Sequence, residues 1–358
     1  MDIQKIIKEK VFKQEAYPIE ERPCRIKLDA NENPFTISPS LKKEMFEYLK
    51  SFSLNRYPDP GSPELRARFA DYYGVDDTML LIGNGSDELI QILLTAFNSS
   101  PSGGVIIPVP TFAMYSISAL NADHKVTEIP LNDQCDLETG QILDKMSQNN
   151  PHLIFLSYPN NPTGNFFDRE KIENILSKSN GIVVIDEAYF NFSGKTFLTD
   201  INKWENLVIL RTLSKVGFAA MRIGMLMGQP SLIHELNKVR LPYNINTISQ
   251  AAGLFFIEHE DEFQKKIQQI IKNREELFSE MNDIENIHPY PSDANFILFS
   301  CAIDKNRLYN SLLERGILIK NFTSSGILKD CMRVTVGSSE ENREFLGALR
   351  DISSRQGE

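Results

Sequence analysis

The sequence predicts an α/β protein, in which a mainly parallel sheet is covered by helices on both faces and followed by a smaller α+β part. Three observations predict it. Apolar runs of four to six residues recur through the middle of the chain without polar alternation, as strands buried on both faces require. Helical patterns separate several of these runs. From about residue 231 the pattern turns to helices and then to a few further strands. At 358 residues the chain also exceeds what one hydrophobic core usually serves, so two domains are expected.

Element by element, the N-terminal "MDIQKIIKEKVFKQEAY" mixes acids and bases, with Ile3, Ile6 and Ile7 at helical spacing. It reads as a short amphipathic arm and not as a signal peptide. The strand candidates are "MLLIG" (79–83), "GVIIP" (104–108), "LIFLS" (153–157), "IVVID" (182–186), "LVILR" (207–211) and "IGMLM" (223–227). Helices are expected over 86–97, 112–120 and 169–178. The last two strands lie too close for a helical crossover, so one of them should run antiparallel. A long amphipathic stretch follows around 247–281, then strands near "NFILF" (295–299) and "CMRVTVG" (331–337). The expected division is an arm and part of a small domain over 1–45, a large domain over 46–245, and a small C-terminal domain over 246–358. In such folds the strand C-termini face a crevice, here Gly83, Ser157, Asp186 and Arg211.

Composition narrows the function. The net charge of −10 argues against nucleic acid or an anionic membrane as a general partner. An anionic ligand would need local cations, which singles out Arg211, Lys215, Arg222 and Arg333. The cysteines (Cys24, Cys135, Cys301, Cys331) lie far apart without a CxxC pair, so neither a disulfide framework nor a zinc site is indicated. "HEDEF" at His259 lacks the second histidine of a metal motif, and no metal is expected. No run approaches the length needed to span a bilayer. A soluble, cytoplasmic protein is expected.

"GNGSDELI" (83–90) follows a strand and opens a helix. Glu88 stands where a dinucleotide fingerprint needs glycine. What remains is a glycine turn with Ser86 and Asp87 at the first helical positions, where exposed N–H groups and the helix dipole suit a phosphate. Alone, it reads more readily as an ordinary N-cap. "YPNNPTG" (158–164) makes a sharp reversal after a strand, and alone it is a plain loop. "IVVIDEAYF" (182–190) puts Asp186 at a buried strand end. There a carboxylate needs a cationic or donor partner, unless it merely caps the next turn.

"LVILRTLSKVGFAAMRIG" (207–224) joins these pieces. A lysine at a strand end, beside a phosphate-binding helix terminus and an Asp without an evident partner, fits the Schiff-base lysine of a pyridoxal phosphate enzyme. Burial and nearby cations lower such a lysine's pKa and free its amine to attack a carbonyl. Asp186 would keep the pyridine nitrogen protonated. Ser86, Asp87, Ser214 and Arg222 would receive the cofactor phosphate.

"LDANENPF" (28–35), "RYPDP" (56–60), "GNGSDELI", "PTFAMY" (110–115), "YPNNPTG", "DEAYF", "RTLSK" and "MRVTVG" occur in order over nearly the whole chain. Together they resemble the fold-type I pyridoxal-phosphate aminotransferases, and most closely the histidinol-phosphate aminotransferases. The resemblance implies a seven-stranded, mainly parallel sheet in a large cofactor-binding domain, and a homodimer with shared active sites. It implies a catalytic group of Lys215, Asp186 and Tyr189. Asn161 and Tyr189 would bond the ring's 3-hydroxyl, Phe112 would stack on the ring, and Thr212 would lie among the cofactor's neighbours. The amides of Ser86 and Asp87, with Ser214 and Arg222, would hold the cofactor phosphate, completed by Tyr57 from the neighbouring subunit. Tyr17, Asn33, Lys320 and Arg333 would line the substrate site.

Two departures stand out. Six residues separate Lys215 from Arg222, one fewer than those enzymes usually have. Lys320 occupies a position where many of them carry an arginine toward the substrate phosphate; lysine keeps the charge and loses the bidentate fork. The implied activity is amino transfer between L-histidinol phosphate and 2-oxoglutarate in histidine biosynthesis. An aromatic amino-acid aminotransferase, a threonine-phosphate decarboxylase and a non-catalytic binding relative are the alternatives.

Overall fold

A computed structural model describes residues 3–13, 22–53, 55–99, 103–322 and 326–354. Its strands, in chain order, are β1 (Ile26–Leu28), β2 (Leu80–Asn84), β3 (Val105–Val109), β4 (Val126–Pro130), β5 (Leu153–Ser157), β6 (Ile182–Asp186), β7 (Leu207–Thr212), β8 (Ile223–Met227), β9 (Ile287–Pro289), β10 (Phe296–Cys301), β11 (Ile317–Asn321) and β12 (Cys331–Thr335). The six strands expected between residues 79 and 227 are all present. The helices Gly85–Ala96, Met114–Asn121 and Arg169–Lys178 also fall where helical patterns stand in the sequence.

The larger sheet has seven strands in the order β2-β8-β7-β6-β5-β3-β4. β8 alone runs against its neighbours, antiparallel to both β2 and β7. The apolar runs show no polar alternation because each face has its own core. Leu207 and Ile209 pack into one cluster, Val208 and Leu210 into the other. The seventh strand, β4, escapes an apolar-run reading. It is an edge strand, "VTEIP", with Glu128 exposed and proline at its end, as unpaired edges tolerate.

The smaller sheet has the order β1-β11-β12-β10-β9. Its edge strand β1 comes from the start of the chain and pairs parallel with β11. That pairing carries the "DANEN" turn onto β12. The amphipathic stretch around 247–281 forms two helices, Thr247–Glu258 and Glu260–Asn282, broken at His259 (φ −118°). Glu260, Asp261 and Glu262 then open the second helix, where the dipole favours acids.

Candidate active site

The C-terminal ends of β5, β6 and β7 open on a cavity of about 370 Å³, closed on its far side by residues 29–32 and by β11 and β12. Ser157 and Asp186 are register partners at the ends of β5 and β6, and both line it. Asp186 is 4% exposed. Its carboxylate accepts from the Tyr115 hydroxyl at 2.6 Å and from the Ala188 amide at 3.0 Å. The sequence offered this carboxylate no evident partner; the structure supplies two donors. Burial still pushes its pKa up to about 6, against the pull of the Tyr115 hydrogen bond.

Lys215 follows β7 in a short irregular turn, Ser214–Phe218, that leaves regular helix at Gly217 (φ 121°). Its Nζ lies 3.4 Å from the Ala30 carbonyl and 5.9 Å from the centroid of the Tyr189 ring. Burial, then the charge of Arg333, push its pKa down to about 8. The amine is therefore partly neutral near physiological pH, as a nucleophilic lysine must be.

The anion corner sits where helix Gly85–Ala96 meets β8. Gly224 makes the approach possible, because a Cβ there would stand 2.4 Å from the Gly85 carbonyl carbon and 2.5 Å from the Ser86 nitrogen. Gly85 itself has φ +76°, and a Cβ on it would meet the Arg222 guanidinium at 2.6 Å. Ser86 and Asp87 thus lie at the helix start facing Arg222, which donates to Asp87 at 3.1 Å and to the Ser214 hydroxyl at 3.5 Å. Thr212 bonds both Ser214 and the Ile223 carbonyl, tying the turn after β7 to β8.

Opposite stand two cations. Arg333 and Lys320 are cross-strand partners on β12 and β11, so both project from the same face. Arg333 is buried, and donates to Asn161 Oδ1 and, at 2.6 Å, to the Asp29 carbonyl. Phe112 and Tyr189 complete the wall.

The cavity therefore gathers Ser86, Asp87, Phe112, Asn161, Asp186, Tyr189, Thr212, Ser214, Lys215, Arg222, Lys320 and Arg333. Five expected residues are not among them, and the first is Gly83, which packs under helix Gly85–Ala96, where a Cβ would meet the Leu89 side chain at 2.5 Å. Asn33 lines an adjacent cavity, and its Oδ1 accepts from the Phe35 amide, which turns it from the main one. Tyr57 is 81% exposed and stacks on Tyr243. Tyr17 lies outside the described residues. Arg211, expected at the crevice, points to the other side of the sheet. It forms a buried ion pair with Glu187 at 2.8 Å, its guanidinium 3.6 Å from the centroid of the Phe190 ring. The pleat turns alternate residues to opposite faces, so Arg211 and Thr212 cannot share one. Asn160 braces the reversal through Thr163 and the Pro110 carbonyl, leaving the cavity to Asn161.

Among the cavity residues that escaped sequence reasoning, Tyr115 and Asn31 bond site residues through their side chains. Tyr115 lies in the "PTFAMY" string, three residues after Phe112, a spacing that signals a shared face. Asn31 lies in "LDANENPF". It is buried, has φ 54°, and donates to the Tyr189 hydroxyl at 2.9 Å. No local pattern marks it.

Residues 25–349 match the family described as aminotransferase class I and II. The chain belongs to that family. It is 41% identical to a histidinol-phosphate aminotransferase of Aquifex aeolicus over 97% of this chain and 98% of that protein. A solved histidinol-phosphate aminotransferase of Clostridium acetobutylicum superposes with a TM-score of 0.84 at 25% identity, over 92% of this chain and 99% of that one. The enzyme of Sinorhizobium meliloti, solved with pyridoxal 5'-phosphate, gives 0.84 at 22% identity, over 93% and 92%. The fold is thus that of the fold-type I aminotransferases, with the seven-stranded sheet as expected.

Proposed function

We propose that this protein is a pyridoxal-phosphate-dependent aminotransferase that passes an amino group between L-histidinol phosphate and 2-oxoglutarate, in histidine biosynthesis. The observation that carries this reading is one cavity holding a lysine of lowered pKa, a buried carboxylate and, on the facing strands, the pair Arg333 and Lys320. The residues present fit the cofactor. The glycine-lined corner at Gly85, with the Ser86 and Asp87 amides, the Ser214 hydroxyl and Arg222, suits its phosphate. Phe112 offers a face to its ring, and Asn161 and Tyr189 offer partners to its hydroxyl. When bound, the protonated ring withdraws electrons from the substrate Cα.

This chain's residues do the rest. Asp186 presents a negative charge to a protonated ring nitrogen. Lys215 supplies the amine that attacks a carbonyl and, once released, can accept and return a proton at the substrate carbon. Arg333, held by Asn161 and the Asp29 carbonyl, is a fixed cation, and Lys320 adds a second beside it. Together they would receive the substrate phosphate, or the carboxylate of 2-oxoglutarate in the second half-reaction.

The same reading extends to the assembly. We take the chain as a cytoplasmic homodimer in which Tyr57 completes the partner's phosphate corner, with residues 1–45 as an N-terminal arm and part of the small domain, 46–245 as the large domain and 246–358 as the small C-terminal domain. The test is steady-state assay of histidinol phosphate and phenylalanine side by side, in wild type and Lys320→Ala. Charge-assisted bonds of about 1.5–3 kcal/mol predict a loss of about 10- to 150-fold in kcat/KM for histidinol phosphate. The kcat/KM for phenylalanine, which does not include the 2-oxoglutarate half-reaction, should hardly change. Preference for phenylalanine in the wild type, with Lys320→Ala neutral for both, would move the protein to the aromatic aminotransferases.

A further inference from the structure

Tyr115 is fully buried, and its ring is held on two sides. It stacks on Phe155, with centroids 5.0 Å apart and planes at 12°, and it meets the Phe112 ring edge-on at 5.5 Å and 87°. A ring so packed has little freedom about χ1 and χ2. Its hydroxyl is therefore carried to one place, 2.6 Å from Asp186 Oδ2, while the Ala188 amide donates to Oδ1 at 3.0 Å. One donor on each oxygen fixes the carboxylate plane and leaves its remaining acceptor capacity toward the cavity.

We propose that Tyr115 is a positioning residue acting through Asp186, its hydroxyl holding the carboxylate in the plane that meets a protonated ring nitrogen. The proposal rests on the reading of the cavity as a pyridoxal-phosphate site. The surroundings show why the donor matters. Asp186 faces Asp87 from helix Gly85–Ala96, Glu187 from its own strand end and Tyr189 just beyond, while the cations Lys215 and Arg222 stand across the cavity. Glu187 is already engaged with Arg211. Burial and the two neighbouring acids all favour a protonated Asp186, and Tyr115 is the foremost influence opposing them. A protonated, freely rotating carboxyl would be a poor counter-ion for a cationic ring.

Tyr115→Phe keeps the ring packing and deletes the donor. In cofactor-free protein labelled with carboxyl-13C aspartate, with Asp186→Asn assigning the resonance, the Asp186 titration midpoint should move to about tenfold lower proton concentration. Affinity for pyridoxal 5'-phosphate, read by fluorescence titration, should weaken about tenfold. In an Asp186→Asn background the same change should leave that affinity unmoved. An unchanged midpoint, or an equal loss of affinity in both backgrounds, would show that Tyr115 only packs. A wild type that fails to bind pyridoxal 5'-phosphate would overturn the reading of the cavity, while the carboxyl titration would still decide what Tyr115 does to Asp186.

Discussion

Burying Asp186 costs stability, because desolvation disfavours its charged form. In cofactor-free protein its carboxyl holds a proton up to about pH 6, whereas an unfolded aspartate releases it near 3.8. Between those values the folded state binds more protons than the unfolded one. Stability is therefore full below the lower value and is lost as pH rises through the upper one. The difference amounts to roughly 2–3 kcal/mol. Asp186→Asn cannot ionise, so its unfolding free energy relative to wild type should rise by that amount from about pH 4 to pH 8, as measured by denaturant unfolding. A difference independent of pH would mean that Asp186 is ionised throughout. The cofactor should reverse the order at neutral pH, because a cationic ring favours the carboxylate. Such strain at a site is what a stability–activity trade-off predicts.

Among the elements, the contact between helix Gly85–Ala96 and β8 decides the geometry of the anion corner. Gly224 is where the helix start comes within side-chain distance of the strand. Gly224→Ala must push the Gly85–Ser86 backbone outward. The expected cost is about 1–3 kcal/mol of stability, together with about a tenfold loss of affinity for pyridoxal 5'-phosphate as one charge-assisted bond lengthens. Gly347, in the exposed face of helix Ser339–Ser354 with nothing near its Cβ position, is the matched control. Gly347→Ala should stabilise by about 1 kcal/mol and leave cofactor affinity alone. Equal affinities in the two variants would detach the corner from the cofactor. Behind the site, the Arg211–Glu187 pair ties β7 to the residue after Asp186, so the two strands that carry the chemistry are clamped from the opposite face.

For the whole molecule, the proposed homodimer would cover an exposed aromatic pair, Tyr57 stacked on Tyr243. Tyr57 and Leu241 are 81% and 69% exposed, with Tyr243 and Ile248 also open. A large exposed aromatic stacked on another is a surface that a partner copy can bury. If Tyr57 completes the partner's site, mixing a Tyr57→Ala chain with a Lys215→Ala chain and reassociating them should restore activity. Each hybrid dimer would then hold one site with both lesions and one with neither. Hybrids confirmed by mass yet inactive would confine Tyr57 to packing.

Much of this was legible in the sequence. Buried parallel strands announce themselves as unbroken apolar runs, and the residues at their ends, Asp186 and Lys215 above all, are conspicuous because charge there has no cheap structural use. Glycine turns and the helix start at Ser86 are likewise local in origin. What the sequence left undecided was every relation between distant residues. Lys320 and Arg333 became neighbours through the β11–β12 register, Tyr115 reached Asp186 across 71 positions, and Asn31 reached Tyr189 across 158. Arg211 turned from the cavity because a strand apolar on both faces carries no sign of which face its last residue will take. Local patterns follow from backbone periodicity and propensity, which a few adjacent residues determine. Partners across a cavity are settled only when packing brings the elements together, and that choice belongs to the tertiary structure.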